Sequence, residues 1–133
     1  MRYLLDVNVL VAWGWADHLD HSRVARWIAQ TRGRPDTVIF TAPIPQIGFI
    51  RVSVQRSRGI LTVPEACKTL VGMLARLGPT HVFLADDQAT TRPPPWCAGF
   101  SQTTDAHLIG LAAAHHAELA SLDKGIPGAF LIP

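Results

Sequence analysis

Apolar residues along the chain come in short runs, each closed by a polar or turn-forming residue. Tyr3 to Leu5 is the first, stopped by Asp6, and reads as a buried strand. The residues that follow, Val7 to Ala16, stay apolar, with Trp13 and Trp15 on either side of Gly14. Val24, Trp27 and Ile28 then recur at helical spacing. They mark one face of a helix through His21–Thr31, for which Asp20 is the expected N-cap. Arg32-Gly-Arg-Pro-Asp36 ends it, and the β-branched stretch Val38 to Thr41 is a second strand.

Pro43 and Pro45 open the next helix, because proline is tolerated in a first turn. Ile47, Ile50 and Val54, with Phe49, are its expected buried stripe. Thr62-Val-Pro-Glu65 has the spacing of a capping box, and that helix is expected to end at Gly78-Pro79. His81 to Ala85 is a third strand, Thr104 to His116 a helix, and Leu119 to Leu122 and Ala129 to Ile132 the last strands. Short strands alternating with longer helices predict an α/β fold with a mostly parallel central sheet.

Composition narrows this to one folded unit. At 133 residues the chain is expected to form one domain, 1–133, large enough for a core without staples. Its hydrophobic share of 48% slightly exceeds what an isolated surface needs, which hints at a face covered by a partner. No apolar run is long enough to span a membrane and the N-terminus lacks a signal-peptide layout, so no membrane association and a cytoplasmic location are expected. Cys67 and Cys97 make neither a disulfide framework nor a zinc pattern. His115 and His116 are adjacent on a helix and point too far apart to share one ion. Net charge is only +2, yet eight of the twelve basic residues lie between Arg2 and Arg58, all arginine. Arginine forks onto phosphate better than lysine does.

The carboxylates carry the chemistry. Asp6 and Asp123 each close a predicted strand and Asp105 opens the helix leading to the last long strand. Ligands of open α/β sheets gather beyond the carboxyl ends of the strands, which places all three on one edge. Clustered carboxylates without a basic partner hold divalent cations. Each aspartate taken singly has a plainer explanation as a turn or cap residue. Asp86 and Asp87 are expected to cap a helix start, and Trp13, Trp15 and Trp27 to pack.

Four segments in order, Leu4-Leu-Asp-Val-Asn8, Pro45-Gln-Ile-Gly-Phe-Ile-Arg51, Thr104-Asp-Ala-His-Leu-Ile-Gly-Leu-Ala112 and Leu119-Ala-Ser-Leu-Asp-Lys-Gly125, resemble the successive motifs of PIN-domain proteins. Within those, the chain most resembles the VapC toxins of prokaryotic toxin–antitoxin pairs. The resemblance implies a three-layer α/β/α sandwich and a ribonuclease dependent on Mg²⁺ or Mn²⁺. Asp6, Asp105 and Asp123 match the family's acidic, metal-binding positions. Asn8 matches the polar residue that orders the first carboxylate, Ser121 a small hydroxyl beside the site, and Arg51 an arginine that would contact RNA. The family's second acid corresponds here to Gln46, which is neutral and cannot act as a base. The catalytic set carried over is therefore Asp6, Gln46, Asp105 and Asp123, with one negative charge fewer.

The resemblance further implies an RNA substrate cut to 3′-hydroxyl and 5′-phosphate ends, a cognate VapB-type antitoxin, and a homodimer that joins two sites into one groove. A rival expectation is a weakened PIN domain that binds RNA or a protein without efficient cleavage, with Gln46 as its main support. A phospho-acceptor receiver domain also uses strand-end aspartates with Mg²⁺ but fits poorly, because Lys124 directly follows the last aspartate instead of following a later strand.

Overall fold

A computed structural model describes residues 1–133. In chain order it contains β1 (Arg2–Leu5), α1 (Val7–Gly14), α2 (His21–Arg32), β2 (Val38–Thr41), α3 (Pro43–Arg56) and α4 (Val63–Leu77). These are followed by β3 (His81–Phe83), α5 (Thr103–Ala114), β4 (Glu118–Ser121) and β5 (Phe130–Leu131). The five strands pair in the order β3-β2-β1-β4-β5, and every pair is parallel. From β1 the chain steps outward through β2 and β3, then returns to lay β4 on the other side of β1. The switch point therefore falls between β1 and β4, where a crevice forms at the strand ends.

Strand alternation sorts the core into two layers. Tyr3 and Leu5 of β1, Ile39 of β2 and Ala120 of β4 join a large cluster with side chains of α1, α2, α3 and α4. Leu4, Phe40 and Leu119, one residue out of step, join a smaller cluster with Leu108, Leu111 and Ala112 of α5. Helices on both faces of a parallel sheet explain why these strands read as unbroken apolar runs. The result is a three-layer α/β/α sandwich. Tyr3 meets Trp27 edge-on at 5.1 Å between ring centres, closing the larger layer. α1 and α3 are tightly apposed at Gly48, where even an added methyl group would run into the Val7 side chain. That contact seats the first turn of α1 and the residue before it, Asp6.

Local expectations hold where the signal is local. Thr62 and Glu65 form both halves of the capping box, and α4 ends before Gly78. Trp13 and Trp27 are buried and Trp15 donates from Nε1 to Ser53 Oγ at 3.0 Å. Both cysteines are free. Strand and helix limits shift by one or two residues; β3, for example, stops at Phe83 rather than Ala85. No helix is long and apolar enough to cross a membrane.

Three expectations need correction. Ile47 is 63% exposed, whereas Phe49 is buried as expected together with Pro45, Gly48 and Ser53, and Ile50 is half-buried against the same cluster. The stripe is set by the close approach of α1 at Gly48, and Ile47 points away from it. Asp20 occupies the N-cap position of α2 without bonding a backbone N–H; its carboxylate takes the Arg23 guanidinium at 3.2 Å. Asp86 and Asp87 start no helix, since residues 84–99 contain neither helix nor strand. Asp86 accepts instead from Gln88 N–H and meets His107 Nε2 on α5 at 2.6 Å.

Candidate active site

Asp6 leaves the end of β1 as the N-cap of α1, with Val7 N–H donating to Oδ1 at 2.8 Å. Its Oδ2 accepts from Ser121 Oγ at 2.8 Å, across the β1–β4 pair. Asn8 leans the same way: its amide nitrogen donates to Ser121 Oγ at 3.1 Å and its carbonyl oxygen accepts from Leu122 N–H at 3.2 Å. Asp123 follows β4 in a turn of its own, Oδ1 accepting from Gly125 N–H at 2.7 Å. Asp105 stands in the first turn of α5, where the positive end of the helix favours an acid. The plain cap and turn readings of these residues are therefore correct as local chemistry, and the same residues also meet in space.

They meet in one open pocket of about 440 Å³, lined by Asp6, Asp105 and Asp123 together with Asn8, Arg51, His18 and Thr104. Val7, Val11 and Val52 supply its apolar side. Burial, first of all, raises the pKa of Asp6; the bonds from Ser121 and Val7 oppose that, and the charge of Asp123 adds to it. Burial also leads at Asp105, where Asp6 and Asp123 both push the pKa further up. Like charges held at close quarters in a partly dry pocket favour a proton, or a cation, between them.

Hard divalent cations take oxygen ligands, and the donor set of this pocket is three carboxylates with one amide beside them. No three acidic, histidine or cysteine side chains converge tightly enough to grip an ion as they stand. Asp123 is turned toward Gly125 N–H, and the charges of Asp6 and Asp123 both act on Asp105. A cation entering the pocket would relieve that repulsion, so the residues fit a Mg²⁺- or Mn²⁺-like ion on charge and donor type.

Gln46 lies apart from the lining of this pocket. Its amide nitrogen donates to Thr41 Oγ1 at 3.0 Å, and that hydroxyl also bonds His81 Nε2 at 2.7 Å. Burial lowers the pKa of His81 and keeps it neutral beside Thr41. Of the arginines, Arg51 alone lines the acidic pocket. Arg23 holds the backbone carbonyl of Ile132, Arg32 that of Arg76, and Arg56 bonds Asp17 at 2.8 Å while covering Trp15. With Arg2, which bonds the carbonyl of His115, four of the eight N-terminal arginines thus tie segments of the fold together. His18 was missed by sequence reasoning: it belongs to the short connection between α1 and α2, and no motif marks it. Asp20 N–H donates to its Nδ1 at 3.0 Å, so the proton of a neutral ring sits on Nε2.

No family model matches the chain. Curated relatives from Mycobacterium tuberculosis do. It is similar to Ribonuclease VapC38 (strain ATCC 25618 / H37Rv), 36% identical over 128 residues that cover 92% of this chain and 86% of the relative. Ribonuclease VapC39 (strain CDC 1551 / Oshkosh) is 33% identical over 132 residues, covering 95% and 91%. Ribonuclease VapC44 of that strain is 34% identical over 135 residues, covering 95% and 89%.

Proposed function

Because the chain belongs to the VapC ribonuclease family, we propose that it is a metal-dependent endoribonuclease, the toxin of a VapBC-type toxin–antitoxin pair. The observation that carries this reading is the meeting of Asp6, Asp105 and Asp123, from three separate elements, in one pocket at the switch point of the sheet. The whole chain acts as one PIN domain in the cytoplasm, restrained by a VapB-type antitoxin and working as a homodimer.

In this reading Asp6, Asp105 and Asp123 hold Mg²⁺ or Mn²⁺. The ion when bound would lower the pKa of water and offset the charge of the phosphate. Ser121 fixes the orientation of Asp6, and Asn8 fixes Ser121 through the 3.1 Å bond. Arg51, from the same lining, forks onto a phosphate oxygen pair and draws the RNA backbone to the acids. His18 presents an N–H donor from the same lining. Val7, Val11 and Val52 keep one side apolar, which strengthens each charge interaction inside. Gln46, held through Thr41, is auxiliary.

Purified protein incubated with RNA should cleave it in the presence of Mg²⁺ or Mn²⁺ and not with a chelator. Asp6→Ala should abolish cleavage while leaving RNA binding measurable. Binding of RNA by the unmodified protein with no cleavage under any metal would sink the nuclease reading in favour of a non-cleaving PIN domain.

A further inference from the structure

A second cavity, of about 470 Å³, lies between α5 and the connection from β3, with Ile44, Arg92, Pro93, Cys97 and His107 among its walls. Thr104 lines this cavity and the acidic pocket alike, so the two adjoin along the first turn of α5. The connection, residues 84–99, is long for a stretch without helix or strand, and such loops in compact domains are generally functional.

It is also held in place. Leu84 is buried in the smaller core cluster and Trp96 packs on it. Asp86 and His107 pair at 2.6 Å with each side chain only 12% exposed. At the other end Ala98 and Gly99 N–H both donate to Gln102 Oε1, at 2.9 and 3.0 Å. Three consecutive prolines, Pro93 to Pro95, restrict the backbone between. The loop is a wall fastened to α5 on both sides of the cavity.

The lining reads as a base site. A volume of this size takes one small planar ligand. Ile44, Ala106, Pro93 and Pro94 give it apolar surface, and Arg92 is its one arginine or lysine, His107 being held by Asp86. Arg92 is exposed and takes part in none of the protein's ion pairs. Gln88, the lining residue suited to adenine, already donates its amide nitrogen to Asp87 at 3.0 Å. Arginine forks onto the O6 and N7 acceptors of guanine. Single-stranded RNA is read through such splayed, unstacked bases.

We propose that this cavity receives one unstacked guanine of the RNA, the nucleotide flanking the phosphate held in the acidic pocket, with Arg92 reading its O6/N7 edge. The proposal rests on the ribonuclease reading above. It makes the 84–99 loop the specificity element and the aspartates the cleaving element.

A pool of randomised single-stranded RNA, cut with Mg²⁺ or Mn²⁺ present and sequenced at the ends, tests it. Unmodified protein should prefer guanine about tenfold or more at one position next to the cut. Arg92→Ala and Arg92→Lys should both lose that preference, since lysine keeps the charge without the fork. Cleavage with no guanine preference there, or a preference that survives in both variants, overturns the base site and leaves the nuclease reading standing. A second measurement does not need cleavage. In a Cys67→Ser background, guanosine 5′-monophosphate should slow alkylation of Cys97, a free, half-buried thiol in the cavity wall, more than the other three monophosphates do. If no RNA is cut, the nuclease reading falls, and equal Cys97 reactivity with all four nucleotides then removes the guanine site as well.

Discussion

Asp6 and Asp105 face the same pocket under opposite conditions. Asp6 is 5% exposed and both its oxygens are held, one by Val7 N–H and the other by Ser121 Oγ. Asp105 is half-buried, and neither of its oxygens accepts a hydrogen bond. The first carboxylate is oriented by the β1–β4 junction before any ligand arrives; the second is placed only by the start of α5. Mg²⁺ demands near-ideal octahedral geometry. In the proposed metal site, one locked and one adjustable carboxylate would meet that demand without requiring the fold to hold three repelling charges at coordination distance.

The difference can be broken first at its strong end. Ser121→Ala removes the hydroxyl that aims Asp6, and loss of such a supporting group costs about 10–100-fold in metal affinity or activity. Cleavage rate against Mg²⁺ concentration should shift by that amount, whereas an unchanged titration would mean that Asp6 is not the anchored ligand. Asp105 has no such supporting side chain to remove.

The adjustable end shows itself in stability. Asp105 has a folded-state pKa raised above the unfolded value of 3.8. Between those two pKa values the folded protein binds more protons than the unfolded chain. The stabilising contribution is therefore complete below about pH 3.8 and is lost as pH rises through the folded pKa. Asp6 adds a slope of the same sign. Asp105→Asn should flatten that loss and raise the melting temperature of metal-free protein near neutral pH, while abolishing cleavage. Thermal melts at a series of pH values in chelator check this, and a variant less stable than the parent at neutral pH would contradict it. Added Mg²⁺ should stabilise the parent and not the variant.

The smallest effect belongs to the position outside the contrast. Gln46→Glu restores the family's acid at a side chain bonded to Thr41 rather than lining the pocket. Cleavage should change by less than about tenfold, or about 1.4 kcal/mol in the barrier. A gain of several hundredfold would show that the missing charge, and not the fixed geometry of Asp6, limits the site.

Most of the element order was legible from the chain because its signals are local, although α1 (Val7–Gly14) was read only as an apolar stretch. The apolar runs give the strands, three- and four-residue spacing gives α2, and the Thr62–Glu65 pair gives α4 a cap that forms as read. The meeting of Asp6, Asp105 and Asp123 was also expected, because strand ends in a parallel sheet share an edge. What failed involved a distant neighbour. Ile47 is apolar and lies at plausible helical spacing, yet the face of α3 that is buried was chosen by Val7 of α1 pressing against Gly48. Asp86 looks like a cap, yet its partner is His107, 21 residues further on.

Periodicity along the chain was sufficient for an α/β architecture and for carboxylates at strand ends, since both follow from how each residue projects from its own backbone. The order β3-β2-β1-β4-β5 settled the rest. It sets β1 against β4, so that Ser121 reaches Asp6, and it leaves α5 alone on one face, so that the 84–99 loop can fasten beside it. Those contacts depend on which strands become neighbours, and no local pattern of apolar and polar positions encodes that.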